Sequence, residues 1–135
     1  MPESPKLLHW AAGLSIGAGI SHGLLTDAHF AEWWAYGVFF LLASMAQGIY
    51  GFAIAASHVM NGAPISARWP PSARRAWYLA GIGGNVLLIA LYIASRTLGV
   101  LGEREAWDAL GIFTKLIELS LVGVLVLLAR QVPRA

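Results

Sequence analysis

The sequence predicts an all-α protein: a four-helix transmembrane bundle in up-down order with both termini cytoplasmic. Three observations lead there. Of 135 residues, 58% are hydrophobic and only 12% charged, against roughly 25% charged in an average soluble domain. Four apolar runs, approximately Leu7–Leu25, Trp33–Ala56, Ala76–Ser95 and Ala109–Ala129, match the about 20 helical residues that cross a hydrocarbon core of about 30 Å. The connections between them are short, which makes sequence neighbours pack antiparallel. Residues 1–135 therefore read as a single integral membrane domain.

The first run begins after Lys6, a layout shared with signal peptides. Its length favours a retained helix. Two ridges of small residues wind along it, Gly13-Gly17-Ser21 and Ser15-Gly19-Gly23. Such ridges bring backbones close and are how membrane helices associate without a hydrophobic driving force. Helix 1 is expected either at the centre of the bundle or at a homo-oligomer contact. The second run opens on Trp33 and Trp34, amphipathic rings suited to the headgroup level. The segment from Asn61 to Arg75 holds Pro64, Pro70 and Pro71 and breaks the helical pattern. The third and fourth runs are flanked by Trp77 and Trp107.

Orientation follows the basic residues. Lys6, Arg68, Arg74, Arg75, Arg130 and Arg134 flank one side; Arg96 and Arg104 flank the other. Because Lys and Arg are retained in the cytoplasm, both termini belong inside, with Thr26–Glu32 and Leu98–Asp108 as outer loops. The expected location is a bacterial inner membrane.

One polar residue interrupts the middle of each of three runs: Gln47, Asn85 and Glu118. At about 1.5 Å of rise per residue, all three lie near the midplane. Polar groups are costly in hydrocarbon, so they face the bundle interior or a wet cavity. Outward of them come Lys115, Tyr92, His22 and Tyr36, then Asp27, His29, Glu32, Arg96, Glu105 and Asp108. Inward, helix 4 is almost wholly apolar. Spacings of seven and four place Asn85, Tyr92 and Arg96 on one face; Asp108, Lys115 and Glu118 share another, and Glu32, Tyr36 and Gln47 a third. The pattern predicts a polar funnel open to the outside and closed halfway, with Glu118, Lys115, Asn85, Gln47, Tyr92 and Arg96 as its ligand-binding residues. Lys115 and Glu118 also make sense as a neutralising pair, and Asn85 and Gln47 as interhelical hydrogen-bond partners.

Two cofactors come into view. His22, His29, Glu32 and Asp27 are candidate ligands for a divalent metal, since His29 and Glu32 supply nitrogen and oxygen three residues apart. His9 and His58, on neighbouring helices, are the candidate axial pair for a haem. A net charge of +2 gives no footprint for nucleic acid. The absence of cysteine excludes disulfides and thiolate sites. No glycine-rich phosphate loop or nucleophile elbow is present.

The strings His29-Phe30-Ala31-Glu32-Trp33-Trp34 with Gln47, and Gly84-Asn85, Leu91-Tyr92 and Ser95-Arg96-Thr97, resemble those of small, uncharacterised four-helix bacterial integral membrane proteins. The resemblance covers helices 2 and 3 and implies the fold without an activity. The functional expectation is thus a small membrane protein whose outward pocket binds a small polar ligand or cation, with Glu118 exchanging a proton if the ligand is quinol-like. Its alternatives are an accessory subunit of a larger respiratory or photosynthetic complex, and a haem or metal redox protein.

Overall fold

In the computed structural model, which describes residues 3–61, 69–99 and 103–133 (side chains of 57–61 excepted), all regular structure is helical. The elements are α1 (Pro5–Glu32), α2 (Trp34–Asn61), α3 (Pro71–Thr97) and α4 (Ala109–Gln131). Three are long and apolar enough to span a membrane: Trp34–Ala56, Pro71–Thr97 and Ala109–Gln131. Their outer surfaces carry exposed Leu, Ile and Phe side chains such as Leu42, Phe52, Leu87 and Leu119. So much contiguous apolar surface suits lipid, not water. This is a membrane protein. α1 is equally long but less apolar, because glycine, serine and histidine occupy positions that the other helices give to leucine and isoleucine.

The helix boundaries depart from expectation at α1. Thr26–Glu32, expected as an outer loop, is the last part of the helix. Thr26 Oγ1 donates to the His22 carbonyl at 3.0 Å, and His29 pairs with Glu32 one turn on. The polar residues are thus satisfied locally and the helix continues. Trp33 alone, with extended backbone (φ −163°, ψ 132°), separates α1 from α2. Glu32 consequently ends α1 and does not share a helix with Tyr36 and Gln47. Pro71 opens α3, where a missing N–H costs nothing, and Asp108 caps α4 by accepting from the Gly111 amide at 2.5 Å. Arg68 and Arg134 lie outside the described residues.

α2 packs on α1, α1 on α4 and α4 on α3, whereas α2 and α3 share no comparable backbone packing. The α1–α2 seam is close because Gly19 and Gly51 lack side chains. A Cβ at Gly19 would sit 2.9 Å from the Ser44 carbonyl, and one at Gly51 would sit 2.8 Å from the Ala12 carbonyl. Ser15 and Ser44 use this proximity to donate across the seam to the Gln47 and Gly19 carbonyls, each at 2.7 Å.

One half of the bundle is a dry core. Leu121, Leu125 and Leu128 of α4 are fully buried against Leu8, Ala11 and Ala12 of α1, Ile54 of α2 and Tyr78 of α3. Spacings of four and three make these leucines one stripe, and the same stripe continues upward through Glu118, Thr114 and Gly111, all buried. Glu118 occupies a core position of α4.

The seam makes a matched pair of substitutions informative. Gly19→Ala should destabilise by about 1–3 kcal/mol, since backbone atoms must move. Gly13→Ala, whose added Cβ meets nothing within 4 Å, should be neutral or stabilise by about 0.5–1 kcal/mol. Thermal unfolding in detergent separates the two; equal effects would mean that α1 and α2 are not in close contact.

Candidate functional site

The carboxylate of Glu118 is the hub of the second half of the bundle. The residue is 0% exposed and reaches side chains from three helices. His22 Nε2 of α1 lies 2.8 Å from Oε1, and Gln47 Nε2 of α2 donates to the same oxygen at 3.0 Å. Lys115 Nζ, one turn back on α4, donates to Oε2 at 2.5 Å. Asn85 of α3 joins through Gln47, accepting from Nε2 at 3.1 Å, while its own amide donates to the Gly81 carbonyl at 2.8 Å. Gln47, Asn85 and Glu118 do form one layer, as their depths suggested. A charge-assisted network of this kind is what keeps a buried carboxylate tolerable.

Above the layer opens a cavity of about 720 Å³. His22 and Lys115 reach it from below. Its walls are largely apolar, with Phe39 and Phe40 of α2 facing Leu88 and Leu91 of α3. Phe40 stacks on His29 at 3.8 Å between centroids and meets His22 edge-on at 5.3 Å. Tyr92 has Arg96 4.3 Å and Lys115 5.6 Å from its ring centroid, two cation–π contacts that position both cations.

The outer mouth of the cavity is partly covered. The segment 103–108 lines the cavity between α3 and α4 and is tied to the end of α3. Arg96 pairs with Glu105 and, at 2.9 Å, with Asp108. The Glu105 amide donates to the Ser95 carbonyl at 3.1 Å. Partial burial pushes the Asp108 carboxyl up, yet the Gly111 amide and the Arg96 guanidinium together outweigh it and hold the group below its usual range.

The tautomer follows from these partners, and with Lys115 on Glu118 a neutral His22 ring leaves the cluster without net charge. An ionised carboxylate only accepts, which puts the ring hydrogen on Nε2. In the neutral ring Nδ1 is then a bare acceptor; like Gln47 Oε1, it is buried and has no partner among the described residues. A buried acceptor left unpaired costs about 1–3 kcal/mol; of these two residues only His22 lines the cavity.

The candidate metal ligands do not assemble. His22 turns to Glu118, His29 Nδ1 pairs with Glu32 at 3.0 Å, and Asp27 is exposed on another side of α1. Among the described residues no three His, Asp or Glu side chains converge on a metal position. His9 lies within 2.7 Å of the Pro5 carbonyl of its own helix, and the His58 side chain lies outside the described residues. Compared with known protein families, curated proteins and solved structures, the chain has no match.

Two features escaped the sequence reading. His22, placed outward of the polar layer and among the metal-ligand candidates, bonds the hub directly; its place in the buried series Leu8, Ala11, Ser15, Ala18, His22 of α1 was the available signal. At the opposite end Glu3 accepts from Tyr78 Oη at 2.9 Å and from Arg74 Nη1 at 3.2 Å, a junction between residues too distant in sequence for spacing to reveal.

Asp108 should make stability acid-sensitive. Its lowered folded pKa stabilises the fold at pH above the unfolded carboxylate range, and that contribution is lost as pH falls through the folded value. Asp108→Asn keeps a capping oxygen but removes the ion pair. It should flatten the loss of thermal stability below about pH 4; an unchanged pH profile would show that the Arg96 clamp does not act.

Proposed function

We propose that this protein is a small integral membrane protein, of the bacterial inner membrane, whose cavity binds a small polar ligand carrying a hydroxyl. The bundle runs up-down with α1 as a fourth span, termini in the cytoplasm and the cavity on the outer side. Lys6, Arg74, Arg75 and Arg130 at one end, and Glu32, Glu103, Glu105 and Asp108 at the other, support this orientation.

The observation that carries the reading is the Glu118 hub beside an unpartnered His22 Nδ1. A ligand hydroxyl donating to Nδ1 joins a continuous path, O–H to Nδ1, then Nε2–H to Glu118 Oε1. If the ligand gives up its proton, His22 accepts it at Nδ1 and releases the one on Nε2 to the carboxylate. The proton arrives at Glu118 without a free imidazolium persisting. Lys115 favours the anion left on the ligand, and Gln47 and Asn85 hold the carboxylate in place.

A second reading rests on a different face. Trp10, Gly13, Ile20 and Leu24 are exposed on α1 at spacings of three, seven and four residues, and nothing lies within 4 Å of a Cβ added at Gly13 or Gly17. Such a ridge fits another helix, as in a homo-oligomer or an accessory subunit of a larger complex. Co-purification at fixed stoichiometry with a large partner would favour it.

Hydroquinone is a suitable probe, titrated onto protein in phosphatidylcholine nanodiscs. Glu118→Gln should weaken its binding at least about tenfold, a difference of about 1.4 kcal/mol, while the helical circular dichroism is retained. The charge-neutral double variant Glu118→Gln with Lys115→Met should fold even if the single variant does not, and should also fail to bind. Wild-type affinity in either variant contradicts the assignment, as does the absence of binding to the wild-type protein.

A further inference from the structure

The cavity is a site for an amphiphile, and three observations about its walls say how such a molecule would reach it. First, the ring of helices is incomplete at one edge. α2 packs on α1, α1 on α4 and α4 on α3, but among the described residues α2 and α3 share no comparable backbone packing and are joined through a few side chains. These bridges lie at and below the midplane: Gln47 to Asn85, and Tyr50, whose hydroxyl donates to the Trp77 carbonyl at 3.2 Å and whose ring stacks on Trp77 at 4.6 Å. Above them, the α2–α3 edge is the cavity wall itself, formed by Phe39 and Phe40 against Leu88 and Leu91.

Second, the wall is continuous with the surface that faces lipid. Leu91 lines the cavity and is 38% exposed. A molecule in the bilayer therefore meets an apolar edge with a polar floor behind it. Third, the aqueous side is partly covered. Segment 103–108 lines the cavity above, clamped to Arg96 through Glu105 and Asp108. Opening it breaks two ion pairs and the hydrogen bond from the Glu105 amide to the Ser95 carbonyl, whereas passing the α2–α3 edge breaks none of these.

The geometry points to lateral access: a hydroxylated amphiphile whose head docks at His22 and Lys115 and whose apolar tail leaves between α2 and α3 into the membrane. This rests on the reading of the cavity floor as a hydroxyl site, and adds the class of ligand and its route. The size is suitable, since binding cavities for small organic molecules span about 300–1,000 Å³. The apolar walls would be wasted on a purely polar ligand, which gains nothing from Phe39, Leu88 or Leu91. A tailed one gains about 0.8 kcal/mol per buried methylene.

Binding of decyl-hydroquinone and of hydroquinone to protein in phosphatidylcholine nanodiscs tests this, each probe being compared across variants so that its partition into lipid cancels. Leu91→Trp narrows the edge from α3 and Ala35→Phe from α2. Ile112→Trp, at a lipid-exposed position of α4 away from the cavity, is the control. Decyl-hydroquinone should bind the wild type and the control alike, and lose at least tenfold in affinity in both edge variants. Hydroquinone should lose clearly less affinity than decyl-hydroquinone in both edge variants, and none in the control. If the edge variants weaken neither probe, or both equally, the tail does not pass between α2 and α3, while the floor assignment stands. If neither probe binds the wild type, the floor assignment fails and the lateral route with it. Should Leu91→Trp fail to fold, Ala35→Phe decides alone.

Discussion

A carboxylate inside a membrane bundle has to be matched by positive charge and donors, and meeting that demand at Glu118 organises the upper half of this protein. Three donors from three helices converge on its two oxygens. Each is fixed by a helix that has its own reason to be there. α1 brings His22 because its glycines let it press against α2. α2 brings Gln47 on the face that Ser15 already holds by its backbone carbonyl. α4 supplies Lys115 one turn from the carboxylate. Replacing such a hub by leucine would extend the stripe of Leu121, Leu125 and Leu128 without difficulty, and a buried ionic cluster seldom outperforms an apolar one in stability. Stability alone therefore does not account for the cluster.

The two halves of the molecule divide the labour. Below Glu118 the core is dry and closely packed, joined to the Glu3–Tyr78–Arg74 junction at its far end. Above it the helices enclose a cavity, with cations placed by the Tyr92 ring and a roof secured through Arg96. The transition occurs within one turn of α4, between Glu118 and Leu121. A site built on such a rigid base holds its polar atoms in place before a ligand arrives, which is the condition for selective binding.

Much of this was legible in the sequence. A polar residue in the middle of an apolar run must face inward, so Gln47, Asn85 and Glu118 declared their layer, and i,i+3 spacing declared the Lys115–Glu118 pair. The rest depended on information that spacing does not carry. The Thr26–Glu32 segment looks like a loop by composition, yet its hydroxyl and imidazole are satisfied within the helix. His22 looked separate from the polar layer because depth was counted along α1 alone; the tight α1–α2 seam and the core stripe of α4 set its true partner. The roof over the cavity arises from Arg96 choosing Glu105 and Asp108 among several nearby acids, a matter of chain path. Likewise, His29 and Glu32 satisfied each other and left Asp27 aside, so the pattern that suggested a metal describes a helix terminus.

The central claim is that His22 donates through Nε2 to Glu118 and keeps Nδ1 bare for a ligand. Nitrogen-15 magnetic resonance of protein labelled at histidine, with His22 assigned by its loss in His22→Phe, measures this directly. The account predicts a neutral ring with hydrogen on Nε2, and an Nδ1 resonance that moves toward the hydrogen-bonded position when hydroquinone is added. A His22 ring with hydrogen on Nδ1, or on both nitrogens in the ligand-free protein, would contradict it.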